Sequence, residues 1–326
     1  SGSGIAVRAA SSVDIALWDI LGQIVNQPIY QLLGGKVRER IRTYNTCAGP
    51  GYAKGSSNIN RNRTAQLGEN IGDKFEDLVG FLNDPESLVS SLIEMGFSAM
   101  KIWPFDEASM RNAGQTIDKS ELRVATKLFE RARIAGGEDL DIMLEMHALW
   151  STPAAITIAN AVEEYSPFWV EDPVKHESTA ALQRFRNSIN SPLTVGETTG
   201  TRWDHHRLLS SGVVDHLMID PGWVGGITEA NNVLALASTY GVPVAPHDCT
   251  GPVVLTVGTH LGMANPQIEL QEMVRAYYFG WYAEIVTILP EFKDGYLIAP
   301  TGPGLGTQLR PEVIHREDAM IRVSTL

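Results

Sequence analysis

Short apolar runs that stop on an acid dominate the middle of the chain. Asp141-Ile-Met-Leu-Glu145, Pro167-Phe-Trp-Val-Glu171 and Leu193-Thr-Val-Gly-Glu197 each end on a glutamate, and 26 residues separate each glutamate from the next. Runs this short are too brief for helices and read as strands buried on both faces, as in a parallel sheet. The stretches between them, such as 152–164 and 179–188, are each long enough for one crossover helix. One βα unit per repeat places the three carboxylates at the C-terminal ends of neighbouring parallel strands.

The alternation extends in both directions. Further strands are predicted at 42–47, 99–104, 216–221, 242–247 and 267–272, with helices at 85–95, 121–134, 203–211, 229–239 and 254–264. Such a pattern predicts an α/β fold, a (β/α) TIM-type barrel whose active site lies at the C-terminal ends of the strands. Residues 1–4 read as the end of a linker. The segment 13–33 is helical as far as Ile24, with Ile15, Leu17, Trp18, Leu21 and Ile24 expected against the core, and Pro28 breaks it. The Gly/Asn/Ser-rich loop 48–72 is too long for a plain connection and is expected over the barrel mouth. Residues 105–120 read as a polar connection, and the tail from Trp281 as irregular and Gly/Pro-rich. The expected organisation is a joining segment at 1–40, the barrel at 41–280 and a tail at 281–326.

Composition narrows the function. The chain has 326 residues, 44% hydrophobic, enough for one barrel of about 250 residues. Its net charge of −12 without a basic run argues against nucleic acid and anionic membranes as partners. Two cysteines, Cys47 and Cys249, make no disulfide framework and fit a reducing compartment. With no 18-residue apolar run and no signal-peptide pattern, a soluble, cytoplasmic protein is expected.

Three acids converging on one point repel unless a cation lies between them. Carboxylate oxygens suit Mg²⁺ or Mn²⁺, and no Cys or His cluster suits zinc. The plainer alternative, that each glutamate pairs with its own basic residue, is weakened by the equal spacing. Lys101, at the end of a buried strand, either snorkels or acts on a ligand. Cys249 follows closely after His247 but lacks a separate base, so it does not read as a nucleophile. Trp103 and Trp150 line the mouth or fill the core, the former place being favoured for Trp103. Asp172 reads as a structural hydrogen-bonder.

The motifs together carry a resemblance. The VDIALWDILG helix, the WVEDP, GET, IDP and PH strands and the GPGLG tail make the chain similar to the mandelate racemase branch of the enolase superfamily, over nearly its whole length. Within that branch it most resembles acid-sugar dehydratases of the galactonate type. The resemblance implies Mg²⁺ on Glu145, Glu171 and Glu197, and a His247–Asp220 pair in which His247 is the base. It implies Lys101 beside the developing enediolate, Glu272 on the substrate carboxylate, and His147 as the acid that releases the 3-hydroxyl. The expected substrate is a small sugar acid and the expected product a 2-keto-3-deoxy acid. Three departures stand out. Glu145 replaces the usual aspartate, and its longer reach predicts a shifted strand end or a water-mediated contact. Trp103 replaces the second lysine of the Lys-x-Lys motif. The chain starts at the helix that normally follows an N-terminal α+β capping domain, so that cap is expected to be largely absent, leaving an apolar patch that favours a homo-oligomer. A racemase, epimerase or cycloisomerase of the same branch, or a non-catalytic metal-binding barrel, are the rival readings.

Overall fold

A computed structural model describes residues 4–50, 52, 75–317 and 319–323. The eight expected strands are β1 (Ile41–Thr46), β2 (Ala99–Ile102), β3 (Asp141–Glu145), β4 (Val170–Glu171), β5 (Leu193–Val195), β6 (His216–Ile219), β7 (Val244–Pro246) and β8 (Gln271–Met273). Successive strands from β1 to β7 pair in parallel, and β8 pairs in parallel with β1. The segment leading into β8 bridges to β7 at Val244 and Ile268, which closes the ring.

Helices α1 (Ile5–Val25) and α2 (Ile29–Leu32) precede β1. The β1–β2 connection holds α3 (Asp77–Asn83) and α4 (Pro85–Glu94), and the β2–β3 connection holds α5 (Asp106–Ser109) and α6 (Lys119–Gly136). One helix follows each later strand: α7 (Thr152–Val162), α8 (Thr179–Arg186), α9 (Thr201–Ser210), α10 (Gly226–Tyr240) and α11 (Pro252–Ala264). After β8 come α12 (Arg275–Tyr278) and α13 (Tyr282–Ile285). Local chemistry starts several of these helices. Asp118 and Glu121 form a capping box on α6, Ser151 caps α7 ahead of Pro153, and Asp84 caps α4 ahead of Pro85. Among the described residues no helix is long and apolar enough to cross a membrane.

The strands alternate strictly. Met100, Ile102, Ile142, Leu144, Val170 and Leu217 point outward and pack in the large core shared with the helices. Tyr44, Ala99, Met143, Trp169, Met218, Ala245 and Leu270 form a second, separate apolar cluster inside the ring. Two residues further along seven of the strands come Thr46, Lys101, Glu145, Glu171, Asp220, His247 and Glu272, all buried. Because residues two apart share a strand face, this polar layer rests on the apolar plug.

Two expectations need correction. The tail is not irregular throughout: β9 (Glu291–Lys293) and β10 (Tyr296–Ile298) form a hairpin whose second strand pairs antiparallel with β1. Asp294 and Gly295, both at positive φ (50° and 77°), make its turn, as the Asp-Gly pair favours. On α1, Ile15 is buried but Leu17, Leu21 and Ile24 are 60%, 46% and 75% exposed. The helix docks by one edge only. Trp18 Nε1 donates to Thr228 Oγ1 (2.8 Å), Asp14 accepts from the Thr228 N–H (2.9 Å), and Gly22 lies where any Cβ would meet Gly304 of the tail at 2.5 Å. Most of the 48–72 loop lies outside the described residues.

His260 on α11 ties α2 to the tail. Its ring stacks on Tyr30, its Nε2 donates to the Leu305 carbonyl (3.1 Å), and its Nδ1 accepts from the Tyr30 N–H (3.4 Å). A second ring proton would face that N–H, and burial pushes the imidazole down to about 4. The folded chain thus keeps His260 neutral where the unfolded chain, with an ordinary value of about 6.5, takes up a proton. Stability is full above pH 6.5 and is lost as pH falls towards 4. We expect a loss of about 2 kcal/mol from this residue at pH 5, read as a lower urea midpoint than at pH 7, and a smaller acid-side loss in His260→Gln.

Candidate active site

The C-terminal ends of the strands bring together Lys101, Glu145, His147, Glu171, Glu197, Asp220, His247 and Glu272. Glu145 and Glu171 are direct partners in the β3–β4 register. Glu197 reaches them by a different route. The β4–β5 register pairs Glu171 with Thr194, three residues before Glu197. The chain turns after β5 at Gly196 (φ 131°), where a Cβ would lie 2.5 Å from the Met218 carbonyl oxygen. The equal sequence spacing of the three glutamates therefore does not reflect equal register, yet one oxygen from each lies within 4.8 Å of the others.

Lys101 lies at the centre. Its Nζ is 2.8 Å from Glu171 Oε1, 3.1 Å from Glu272 Oε1 and 3.3 Å from Glu145 Oε2. Desolvation opposes its charge, but Glu171 and Glu272 outweigh it and hold the ammonium well above the ordinary lysine range. Glu171 Oε2 also accepts from Trp169 Nε1 (2.9 Å), a plug residue. Burial and then the neighbouring Glu145 push the Glu171 carboxyl well up, and burial raises that of Glu197. For Glu145 burial acts in the same sense, but His147, Lys101 and its own donors prevail and hold it at about 2.

The extra methylene of Glu145 has a visible use. Its Oε1 turns back to accept from the N–H groups of Met146 (2.9 Å) and His147 (2.6 Å), and His147 and Ala148 both take positive φ. Its Oε2, although near Lys101, is buried without a hydrogen-bond donor, as is Asp172 Oδ1. Asp172 is thus not the side-chain hydrogen-bonder expected; only its backbone is paired, to Thr194 and Ala148. Buried carboxylate oxygens lacking donors, in a cluster whose acids outnumber Lys101, are what a hard divalent cation would satisfy. The donor set therefore fits Mg²⁺ or Mn²⁺.

Two histidines flank the carboxylates from strands on opposite sides of the eight-stranded ring. His247, after β7, places Nδ1 2.8 Å from Asp220 Oδ2 and Nε2 3.3 Å from Glu197 Oε2. Asp220 is itself fixed by the Gly222 N–H (2.7 Å) and Thr250 Oγ1 (3.1 Å). His147, after β3, places Nδ1 2.6 Å from Asp106 Oδ2. Desolvation opposes a proton on either ring, yet Asp106 raises His147 and Glu197 raises His247, both well above the ordinary value.

Both carboxylate oxygens of Glu272 have polar partners within the fold. Its Oε1 accepts from Thr46 Oγ1 and faces Lys101, and its Oε2 accepts from the Asp248 N–H (3.0 Å). Burial opposes its charge, but Lys101 and His247 outweigh burial and lower its carboxyl below the usual range. An anion so held positions Lys101. Trp103 is buried rather than open at the mouth, edge-on to His147 with ring centroids 5.5 Å apart. Trp150 is buried as well. Sequence reasoning missed Asp106, which sits in a segment read as a plain connection, and Trp223, 5.3 Å from the His247 ring and covered by the Arg8 guanidinium at 3.9 Å. Thr46 carried a usable signal, its place two residues after the inward Tyr44.

Comparison with known proteins settles the family. The family described as enolase C-terminal domain-like matches residues 86–313, and the mandelate racemase/muconate lactonizing enzyme N-terminal domain family matches residues 3–34. The chain belongs to the mandelate racemase branch of the enolase superfamily. Among solved members, an enolase of the mandelate racemase subgroup from Agrobacterium tumefaciens is 40% identical (TM-score 0.82), with 96% of this chain and 75% of that one covered. An enolase protein from Sargasso Sea environmental sequencing is 37% identical (TM-score 0.84), with coverages of 98% and 78%. Curated superfamily relatives include D-gluconate dehydratase of Thermoproteus tenax, 27% identical, and D-galactonate dehydratase of Ralstonia nicotianae, 28% identical. The matches take in 95% and 94% of this chain, and 56% and 73% of those relatives, so the chain spans little more than half of the first.

Proposed function

We propose that this barrel carries the active site of an acid-sugar dehydratase, which removes the proton α to a sugar-acid carboxylate and expels the 3-hydroxyl as water. The observation that carries the reading is the opposed pair of Asp-fixed histidines on either side of a carboxylate cluster. The dehydratase names of the curated relatives support the reaction class, and D-gluconate and D-galactonate are the first substrates to try.

Glu145, Glu171 and Glu197 would hold Mg²⁺. Bound there, the ion supplies a Lewis acid for the substrate carboxylate and lowers the cost of charge developing on it. With Glu197, whose charge otherwise raises the His247 ring, engaged on the ion, and with Asp220 fixing Nδ1, Nε2 is left to take the α-proton, as the C–H electron pair moves into the carboxylate to give an enediolate. Lys101, presented by Glu171 and Glu272, offsets charge on the enediolate oxygen. His147, fixed through Nδ1 by Asp106, gives a proton to the departing 3-hydroxyl from the other side. The C3–O bond breaks, water leaves, and the enol tautomerises to the 2-keto-3-deoxy acid. Trp103, standing where a two-base racemase carries its second lysine, favours elimination over racemisation.

A sugar-acid library assayed for 2-keto acids with Mg²⁺ present tests the reading, using this chain and a longer one bearing an α+β cap. Product from at least one hexonate is expected; Mg²⁺ binding without product from any acid would favour the non-catalytic barrel. The metal assignment has its own readout. Glu197→Gln should weaken Mn²⁺ binding, followed by electron paramagnetic resonance, by at least about tenfold, the scale seen when even outer partners of a metal are removed. Unchanged Mn²⁺ affinity would remove Glu197 from the ligand set.

A further inference from the structure

A second group of ligating atoms adjoins the oxygen triad. One ring nitrogen of His247, Cys249 Sγ and one Glu272 oxygen lie within 4.8 Å of one another. We propose that these three residues form a separate site for a borderline-soft divalent ion of the zinc class. The sequence suggested no zinc cluster, because His247 and Cys249 lie on the segment after β7 while Glu272 comes from β8, and only the folded ring brings them together.

The donor chemistry differs from that of the triad. Nitrogen, thiolate sulfur and a single carboxylate oxygen form a ligand set suited to zinc, whereas three carboxylates suit magnesium. His247 Nε2 and Glu272 Oε2 stand 3.9 Å apart. Ligands at zinc bond lengths around a tetrahedral ion are about 3.3–3.8 Å apart, so a small inward movement suffices and the fourth position stays open. Outer contacts are already built. Asp220 accepts from or orients Nδ1 of His247, the carboxylate–histidine arrangement that supports a metal-bound imidazole. The Asp248 N–H and Thr46 hold Glu272 in place. The Cys249 thiol is pushed up to about 12, by burial first and Glu272 second; a coordinated cation reverses that preference and takes the thiolate, releasing one proton. Lys101, in contact with Glu145, Glu171 and Glu272, lies between the two groups and opposes a shared binuclear centre.

Occupation of this site ties up His247 Nε2, so zinc would inhibit without displacing the triad's ion. The inhibition rests on His247 being the base of the proposed dehydratase; the binding does not. Co²⁺ is the probe. Titration of the intact chain, with Mg²⁺ in excess to saturate the triad, should produce a thiolate-to-cobalt charge-transfer band in the near ultraviolet. The band should vanish in Cys249→Ser and Cys249→Ala, with folding checked by circular dichroism, and persist in Cys47→Ala and in Glu197→Gln. No band in the unaltered chain would overturn the site, and so would a band that survives loss of Cys249 or needs Cys47. A Cys249-dependent band alongside continuing α-proton exchange would uphold the site and count against His247 as the base.

Discussion

His247→Asn will abolish exchange of the substrate α-proton with solvent deuterium, and with it all dehydration. His147→Asn will lose dehydration but keep part of the exchange. The expected loss at each affected step is about 10²–10⁴-fold, the usual contribution of a positioned acid or base. The proposed division of roles rests on geometry. His247 has Nδ1 committed to Asp220 and Nε2 facing Glu197, so its reactive nitrogen borders the triad where a substrate carboxylate would sit. His147 stands across the ring, with Nδ1 committed to Asp106 and Trp103 edge-on to its ring. The base acts first, so removing the acid leaves a reversible first step. Proton magnetic resonance of a sugar acid in D₂O reads exchange, and a 2-keto-acid assay reads elimination. Should His147→Asn lose both activities while His247→Asn loses neither, the assignment is reversed.

The alternation along each strand made most of this site legible. Tyr44 and Thr46, Ala99 and Lys101, Met143 and Glu145, Trp169 and Glu171, Met218 and Asp220, Ala245 and His247, and Leu270 and Glu272 share one period-two pattern. It places an apolar residue in the plug and a polar one above it. Glu197 is the exception, because Val195, two residues before it, belongs to the outer core. The turn at Gly196 brings it in, and strand periodicity cannot foresee such a turn. The partners supplied by loops were hidden for a related reason. Asp106 and Trp223 meet the histidines only through connections whose course depends on the finished ring. The outward side of α1 shows the opposite limit. Leu17, Leu21 and Ile24 follow helical periodicity, yet period alone does not say what an apolar stripe will cover.

Asp77→Ala will destabilise the fold by about 3–5 kcal/mol, the cost of stranding one charge of a buried pair. Asp77 and Arg275 are each 2% exposed. Arg275 Nη2 and Nε donate to the two Asp77 carboxylate oxygens at 2.7 Å each, a fork-to-fork contact. The pair is a junction of four elements. Asn45 on β1 donates to Asp77 Oδ2 (2.8 Å) and accepts from the Arg275 N–H (2.9 Å), while Arg275 Nη1 donates to Ser91 Oγ on α4 (3.0 Å). With Asp77 gone, the guanidinium stays buried beside Phe75 with its charge uncompensated. Arg275→Met should cost a similar amount by leaving the carboxylate. Replacing both together, Asp77→Leu with Arg275→Met, removes both desolvated charges and should recover most of the loss, because a buried ion pair is worth far less against an apolar pair than against half of itself. Urea denaturation followed by tryptophan fluorescence measures all three. A double variant as unstable as the sum of the singles would mean that the two charges are energetically uncoupled, and would overturn this reading of the pair.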